Sequence, residues 1–260
     1  MTGVAVGLAV EWRKARRSAV PTVTAGVFAF AAGVEALFMF IAAHPETAKR
    51  LGLVGQKAQL AGLAPDWPGL LDFAAQVMAV GGLMIFAFCC AWVFGREFAD
   101  GTARYLLALP ISRGRVVAAK LWLLLIWCAA LAVWFVGLTL AAGALLHLPG
   151  GGTDVIVTGS LRVLLAAGLQ CVVLTPIALV ASAGRGYLPP IATALGMVVL
   201  AQVAGALGWA AAVPWAMPAV AAGLVPGATL GPGSLVAAGV WGLAGVVGTL
   251  LWWRSGDAGA

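Results

Sequence analysis

The chain has 260 residues, of which 63% are hydrophobic and 9% are charged, and its formal net charge is +6. Soluble domains contain roughly 45 to 50% apolar and about 25% charged residues, so this composition excludes an ordinary water-soluble fold. The basic residues form short clusters at the ends of apolar runs, which leaves no folded basic surface for nucleic acid.

A helix along the membrane surface is predicted for residues 1–19. A short apolar stretch is followed there by Trp12 and then by Arg13, Lys14, Arg16 and Arg17. This order is typical of an interfacial helix that is too charged to cross the membrane.

Six membrane-spanning helices are predicted from the apolar runs that follow. At about 1.5 Å per residue, runs of roughly 17 to 26 residues match a hydrocarbon layer about 30 Å thick. The predicted spans are 20–43, 73–95, 121–146, a fourth within 155–183, 191–207 and 234–253. The fold class is therefore all-α, with residues 1–260 forming one polytopic transmembrane domain.

Residues 208–233 are apolar but are interrupted by Pro214, Pro218, Pro226 and Pro232. We expect a re-entrant or interfacial element on the outer side, because broken helices at membrane depth occur only where protein or a cavity covers them. A seventh span is the alternative, and it would place Arg254 outside the cell.

The distribution of lysine and arginine predicts that both termini are cytoplasmic in a multi-pass protein of the cell membrane. With the N-terminus inside, the outer loops contain only Lys49, Arg50 and Lys57. The inner side collects eleven basic residues: Arg13, Lys14, Arg16, Arg17, Arg96, Arg104, Arg113, Arg115, Lys120, Arg185 and Arg254.

Residues 95–120 form the one long polar segment that faces the cytoplasm between spans. Asp100 or Thr102 can cap a short amphipathic helix here, Pro110 ends it, and Ser112 is predicted to cap the helix of the third span. Such a helix suits docking into a groove of a cytoplasmic partner. The alternative is a loop helix that lies on lipid headgroups.

A family resemblance favours the docking role. The segment has the spacing Glu97-x-x-x-Gly101-Thr102-x-x-x-Leu106-x-x-x-Pro110-x-Ser112-Arg113, followed by Lys120. This spacing resembles the signature between the second and third spans of ABC type-2 exporter permeases, as does the layout of an interfacial helix, six spans and a partly inserted segment before the last one.

The resemblance implies a transport subunit that is not an enzyme and that moves a hydrophobic or amphipathic substrate, such as an antibiotic, a peptide or a lipid. It also implies that the segment couples the permease to a separate ATPase subunit through Glu97, Gly101, Thr102, Leu106, Pro110, Ser112 and Arg113. The permease is expected to pair with a second copy or a paralogue. No phosphate-binding loop G-x-x-x-x-G-K-S/T occurs in the chain, so ATP and magnesium are expected on the partner, and no cofactor on this chain.

Polar residues within the spans are candidates for lining a substrate path. Glu35 and Arg162 both fall in the outer leaflet, where an unpaired charge is costly. We expect them to pair with each other or to face a wet path, the alternative being that both snorkel to the interface. The other candidates are Gln76, Gln170 and Gln202, for which hydrogen bonding between helices is the more common role.

Two other function classes compete with the exporter. An ion-coupled secondary transporter would want ionisable residues near the bilayer midplane, and a membrane-embedded lipid-modifying enzyme would need several converging oxygen ligands for a metal. After Asp100 the next acidic residue is Asp154, beyond a whole span. The four cysteines, Cys89, Cys90, Cys128 and Cys171, all lie in apolar runs and are expected to be small buried side chains, so no metal site is predicted.

Overall fold

The structure is a computed structural model that describes residues 3–44, 46, 50, 63–103 and 112–255. Within these residues it contains helices and no strand, which confirms the all-α prediction. The chain begins with an N-terminal helix, Gly3–Arg16. Six helices are long and apolar enough to cross a membrane, and we number them as spans 1 to 6: Val20–Ala43, Trp67–Ala99, Arg113–Leu145, Thr153–Ala183, Leu188–Ala206 and Pro232–Arg254.

All six predicted spans are present, and several are longer than the hydropathy pattern indicates. Polar caps explain two of the earlier starts, because a side chain that accepts from a free helical N–H stabilises the first turn. Asp66 accepts from the Gly69 N–H at 2.8 Å before span 2. Ser112 accepts from the Arg115 N–H at 3.3 Å before span 3, which confirms its predicted role as a cap.

Span 2 contains a π-helical turn, Met78–Gly82, between its two α-helical parts. A π turn widens the helix and frees carbonyl groups from their usual partners. The buried Gln170 amide of span 4 donates to two of these carbonyls, those of Met78 at 2.7 Å and Ala79 at 2.9 Å. Gln170 therefore stabilises the irregular turn from the neighbouring helix.

Span 4 is interrupted at Leu174, just before Pro176, where one α-helix ends and the next begins. Pro176 cannot supply an N–H to the helix, which explains the interruption at this point. Span 6 packs closely against the bend, since a Cβ on Gly245 would lie 2.4 Å from the Pro176 nitrogen. The Thr175 hydroxyl donates to the Gly242 carbonyl at 2.8 Å across the same contact.

The segment between spans 5 and 6 contains a 3₁₀ turn, Pro214–Ala216, and a short helix, Met217–Ala221. This turn of three residues and helix of five residues are too short to form a seventh span. Met217 and Ala216 are buried against the bundle, and Gly223 and Gly227 turn the chain with positive φ. The depth of the segment in the membrane stays a prediction.

Candidate functional site at the basic end of the bundle

One end of the bundle gathers most of the basic residues, and we call it the basic end. The N-terminal helix, the end of span 2, the start of span 3 and the end of span 6 meet here. The Arg113 guanidinium donates to the Trp253 carbonyl at 3.2 Å, and the Phe98 ring lies 5.5 Å and 5.7 Å from the rings of Trp252 and Trp253. The segments predicted to share one side of the membrane therefore lie together.

Four charged side chains form a compact ion network at this end. They are Glu11 and Lys14 of the N-terminal helix, Glu97 of span 2 and Lys120 of span 3, and we call them the Glu97 cluster. The Lys14 ammonium lies 2.8 Å from Glu97 and 2.9 Å from Glu11. The Lys120 ammonium lies 3.2 Å from each of the same two carboxylates. Three elements that are distant in sequence are thereby joined.

The cluster lies in the interior, which makes its internal pairing important. The side chain of Lys120 is 1% exposed and those of Glu11 and Glu97 are 8% exposed. Buried charges are stable only when they are paired and hydrogen-bonded. Two carboxylates face two ammonium groups, and Lys120 also donates to the Val93 carbonyl at 2.8 Å. The four formal charges sum to zero, so removal of any one leaves an unbalanced buried charge.

Lys14 occupies the more open side of the cluster. Partial burial alone lowers the pKa of its ammonium group, but hydrogen bonds to Glu97 and Glu11, together with their negative charges, outweigh burial and raise the pKa above its ordinary value. Lys14 therefore stays charged at neutral pH and holds the N-terminal helix against span 2.

The chain turns away from span 2 directly beside the cluster. Gly101 has a φ of +67°, a left-handed conformation that glycine adopts readily. The Thr102 hydroxyl then donates to the second carboxylate oxygen of Glu97 at 2.8 Å. Asp100 pairs instead with Arg96 at 3.1 Å. Glu97, which belongs to the predicted coupling segment, thus contacts Thr102 of that segment as well as both lysines.

The predicted coupling residues are therefore partly brought together. Glu97 and Thr102 are in contact and Gly101 lies between them, whereas Ser112 and Arg113 begin span 3 and Arg113 faces span 6. Leu106, Pro110 and the predicted amphipathic helix lie outside the described residues. Sequence reasoning did not identify Glu11, although its spacing of three residues from Lys14 is a signal of a helical ion pair.

The two charged residues predicted to pair within the membrane do not do so. Arg162 forms an ion pair with Asp72 of span 2. Glu35 is fully buried and accepts a hydrogen bond from the Thr139 hydroxyl of span 3 at 3.1 Å. The prediction that Glu35 pairs with Arg162 is therefore wrong, because the two side chains have different partners on different helices.

The glutamines of the spans have different surroundings. Gln170 is committed to the π turn, which is the hydrogen bonding between helices that is common for such residues. Gln76 is half-buried. Gln202 is exposed and lines a cavity of about 340 Å³ between the π turn, span 5 and the segment that precedes span 6. Their place in a substrate path stays a prediction.

The cysteines are all free thiols, and Cys89, Cys90 and Cys128 are buried while Cys171 is half-buried. Among the described residues, no group of three or more His, Cys, Asp or Glu side chains is close enough to hold a metal ion.

Comparisons with known proteins place this geometry in context. A family model described as ABC-2 family transporter protein matches residues 7–201. A bacitracin transport permease protein of Bacillus licheniformis is 25% identical over 144 residues, which cover 55% of this chain and 69% of the relative. No solved structure matches the chain. The family match includes the N-terminal helix from residue 7, the Glu97 cluster and spans 1 to 4.

Proposed function

This chain belongs to the ABC-2 family of transporter proteins, and we propose that it is the permease subunit of an ATP-driven exporter whose ATPase is a separate chain. Membership confirms the resemblance seen in the residues between spans 2 and 3. It makes the chain the membrane subunit of an ABC transporter, with six apolar helices that account for a multi-pass arrangement. Export, the separate ATPase and the cargo are the parts that we propose.

The basic end faces the cytoplasm in this proposal, so both termini and the ATPase are on the same side of the membrane. The support is the excess of lysine and arginine at that end, which is the usual orientation signal. The predicted coupling segment joins spans 2 and 3 at the same end, and in this proposal the ATPase subunit binds it there.

The Glu97 cluster is the observation that carries the proposal. A movement of the coupling segment acts first on Thr102, which is hydrogen-bonded to Glu97. Glu97 is paired with Lys14 of the N-terminal helix and with Lys120 of span 3. A force applied by the ATPase at this point therefore reaches two further helices through buried ionic contacts. The coupling is reciprocal, so bound cargo must change nucleotide affinity by the factor by which nucleotide changes cargo affinity.

The proposed cargo is hydrophobic or amphipathic, such as an antibiotic, a peptide or a lipid. The apolar composition of the spans supports this class, and so does the relative named for bacitracin transport. We further propose that two permease copies, or this chain and a paralogue, enclose the passage between them, with ATP and magnesium bound by the ATPase subunits.

Co-expression with a candidate ABC ATPase subunit tests the proposal. The pair should purify as a complex, and export of a peptide antibiotic should require both chains. Glu97→Ala and Leu106→Asp should uncouple ATP hydrolysis from export. Because Glu97→Ala also leaves an unbalanced buried charge, export and ATP hydrolysis are compared per folded, monodisperse transporter. Asp100→Asn is the matched control, because Asp100 is an exposed acid at the same turn that pairs with Arg96 outside the cluster.

Two results would overturn the proposal. Export that continues without any ATPase would favour an ion-coupled transporter. Export that is unchanged in both the Glu97 and the Leu106 variants would remove the coupling role from this segment.

A further inference from the structure

A lateral groove lies between the N-terminal helix, span 1 and span 3. It encloses about 280 Å³, and its lining is almost entirely apolar, with Leu123, Ile126 and Leu131 on one wall and Pro21 and Ala25 on the other. Trp12, Ile126 and Trp134 are 44%, 41% and 47% exposed, so the groove is open at the side of the bundle. In a membrane protein this opening faces lipid.

The mouth of the groove is positively charged. Arg16, the last residue of the N-terminal helix, lines the groove beside Trp12. Arg16 has no acidic partner within the described part of the chain, unlike Lys14 on the same helix, which is paired twice. Exposed Arg13 and Arg17 add positive charge next to it. A negatively charged headgroup would satisfy this site.

The length of the groove fits one leaflet of a bilayer. It runs along span 3 from Leu123 to Trp134, a distance of about 16 Å at about 1.5 Å per residue. Half of a hydrocarbon core about 30 Å thick is about 15 Å. At the far end the Trp134 indole N–H donates to the Ala25 carbonyl of span 1 at 3.2 Å, which holds the two walls together.

We infer that this groove binds one anionic phospholipid, with the phosphate on Arg16 and an acyl chain between spans 1 and 3. The apolar walls exclude free phosphate as the ligand, and the charge at the mouth selects against lipids without net charge. The bound lipid would hold the N-terminal helix by Arg16, which lines the groove. At about 100° per residue, Arg16 lies about 200° around the helix axis from Lys14 and about 140° from Glu11, on the side away from the Glu97 cluster. The lipid site does not depend on the proposed export function, and its test needs no ATPase.

Photocrosslinking in nanodiscs tests the inference. The full chain is reconstituted in phosphatidylcholine with a small fraction of phosphatidylglycerol that carries a diazirine on its acyl chain, and crosslinked peptides are identified by mass spectrometry. Crosslinks should concentrate on residues 123–134 and on the start of span 1. The same probe on phosphatidylcholine should label this region several times less, and added inorganic phosphate should not compete.

Matched variants separate the groove from general attraction to a charged surface. Arg16→Gln should reduce labelling of the groove about fivefold, the effect expected for one basic residue near an anionic surface. Arg254→Gln removes the same charge at the same end but away from the groove and should leave labelling unchanged. Ala130→Phe fills the groove and should abolish labelling. Ala129→Phe adds the same ring to the neighbouring exposed position of span 3, outside the groove, and should leave labelling unchanged.

Each variant is first shown to be monodisperse with an unchanged Tm in phosphatidylcholine. Equal losses of groove labelling in the Arg16 and Arg254 variants would show that labelling reflects only general attraction to a charged surface, which would overturn the inference. Equal labelling by the two lipids, or labelling that survives Ala130→Phe, would also overturn the inference.

Discussion

Replacing Lys120 by Met should strongly destabilise the protein, and removing Glu11 as well should then cost less than removing Glu11 alone. Lys120 is almost fully buried and faces two carboxylates at 3.2 Å each. Each contact is worth about 5 kcal/mol by Coulomb's law with an effective dielectric constant of about 20, before the cost of desolvation is subtracted. Measured losses for breaking a buried pair from one side are about 3 to 5 kcal/mol, and we expect the Lys120→Met variant to fall in that range.

The double variant Lys120→Met, Glu11→Gln leaves Lys14 and Glu97 as a neutral pair at 2.8 Å. Each single variant instead leaves one unbalanced charge in the interior. The loss in the double variant should therefore be about 2 kcal/mol smaller than the sum of the two single losses, within the range known for residues in contact.

The measurement is a double-mutant cycle on the free energy of unfolding in mixed micelles, with detergent composition held constant. Arg254→Gln serves as the control for a change of charge outside the cluster and should leave the free energy nearly unchanged. Losses that add to within about 0.5 kcal/mol would refute the cluster as a coupled unit.

Three further predictions concern the spans, each measured as a free energy of unfolding in the same micelles. Gly245→Ala should cost about 1 to 3 kcal/mol, because its Cβ would meet the backbone of span 4 at 2.4 Å, whereas Gly239→Ala, with nothing within 4 Å, should be neutral. Gln170→Leu should cost about 1 to 3 kcal/mol, since it leaves carbonyls of the π turn unpaired, and an unchanged stability would show that the turn does not need this amide. Glu35→Gln and Arg162→Met should have additive effects to within about 0.5 kcal/mol, and a clear departure from additivity would restore the pairing that the structure rejects.

The membrane-spanning architecture could be predicted because bilayer thickness and helix rise fix the length of an apolar run. The residues 20–43 were predicted and found as span 1. The start of span 3 at Ser112 could also be predicted, because capping depends on residues adjacent in sequence. Local rules of this kind reach only a few residues along the chain.

The partners of buried charges could not be predicted in the same way. Counting residues gave Glu35 and Arg162 similar depths in the membrane, but depth does not fix the direction in which a side chain points around its helix. Lys120 and Glu11 are 109 residues apart, and the packing of the N-terminal helix on span 3 decides that they meet. The π turn was also missed, because a uniformly apolar helix has no periodicity that an extra residue would disturb.

The glycines of span 6 show how well their spacing in the sequence predicts close packing against another helix. Gly239, Gly242, Gly245 and Gly248 recur every third residue, which predicts a smooth strip for close approach of another helix. Gly242 and Gly245 do contact span 4 closely, whereas Gly239 has no neighbour within 4 Å. Three residues turn a helix by about 300°, so a strip with this period winds away from a straight partner within two steps.

The π turn Met78–Gly82 sets the direction in which all later side chains of span 2 point around the helix axis. One inserted residue corresponds to about 100° of rotation about a helix axis. If the same five residues were wound as regular α-helix, Glu97 would swing by about that angle, away from the two ammonium groups that it faces. The orientation of Glu97 within its cluster therefore depends on the π turn, which lies about 22 Å away along the same helix at about 1.5 Å per residue.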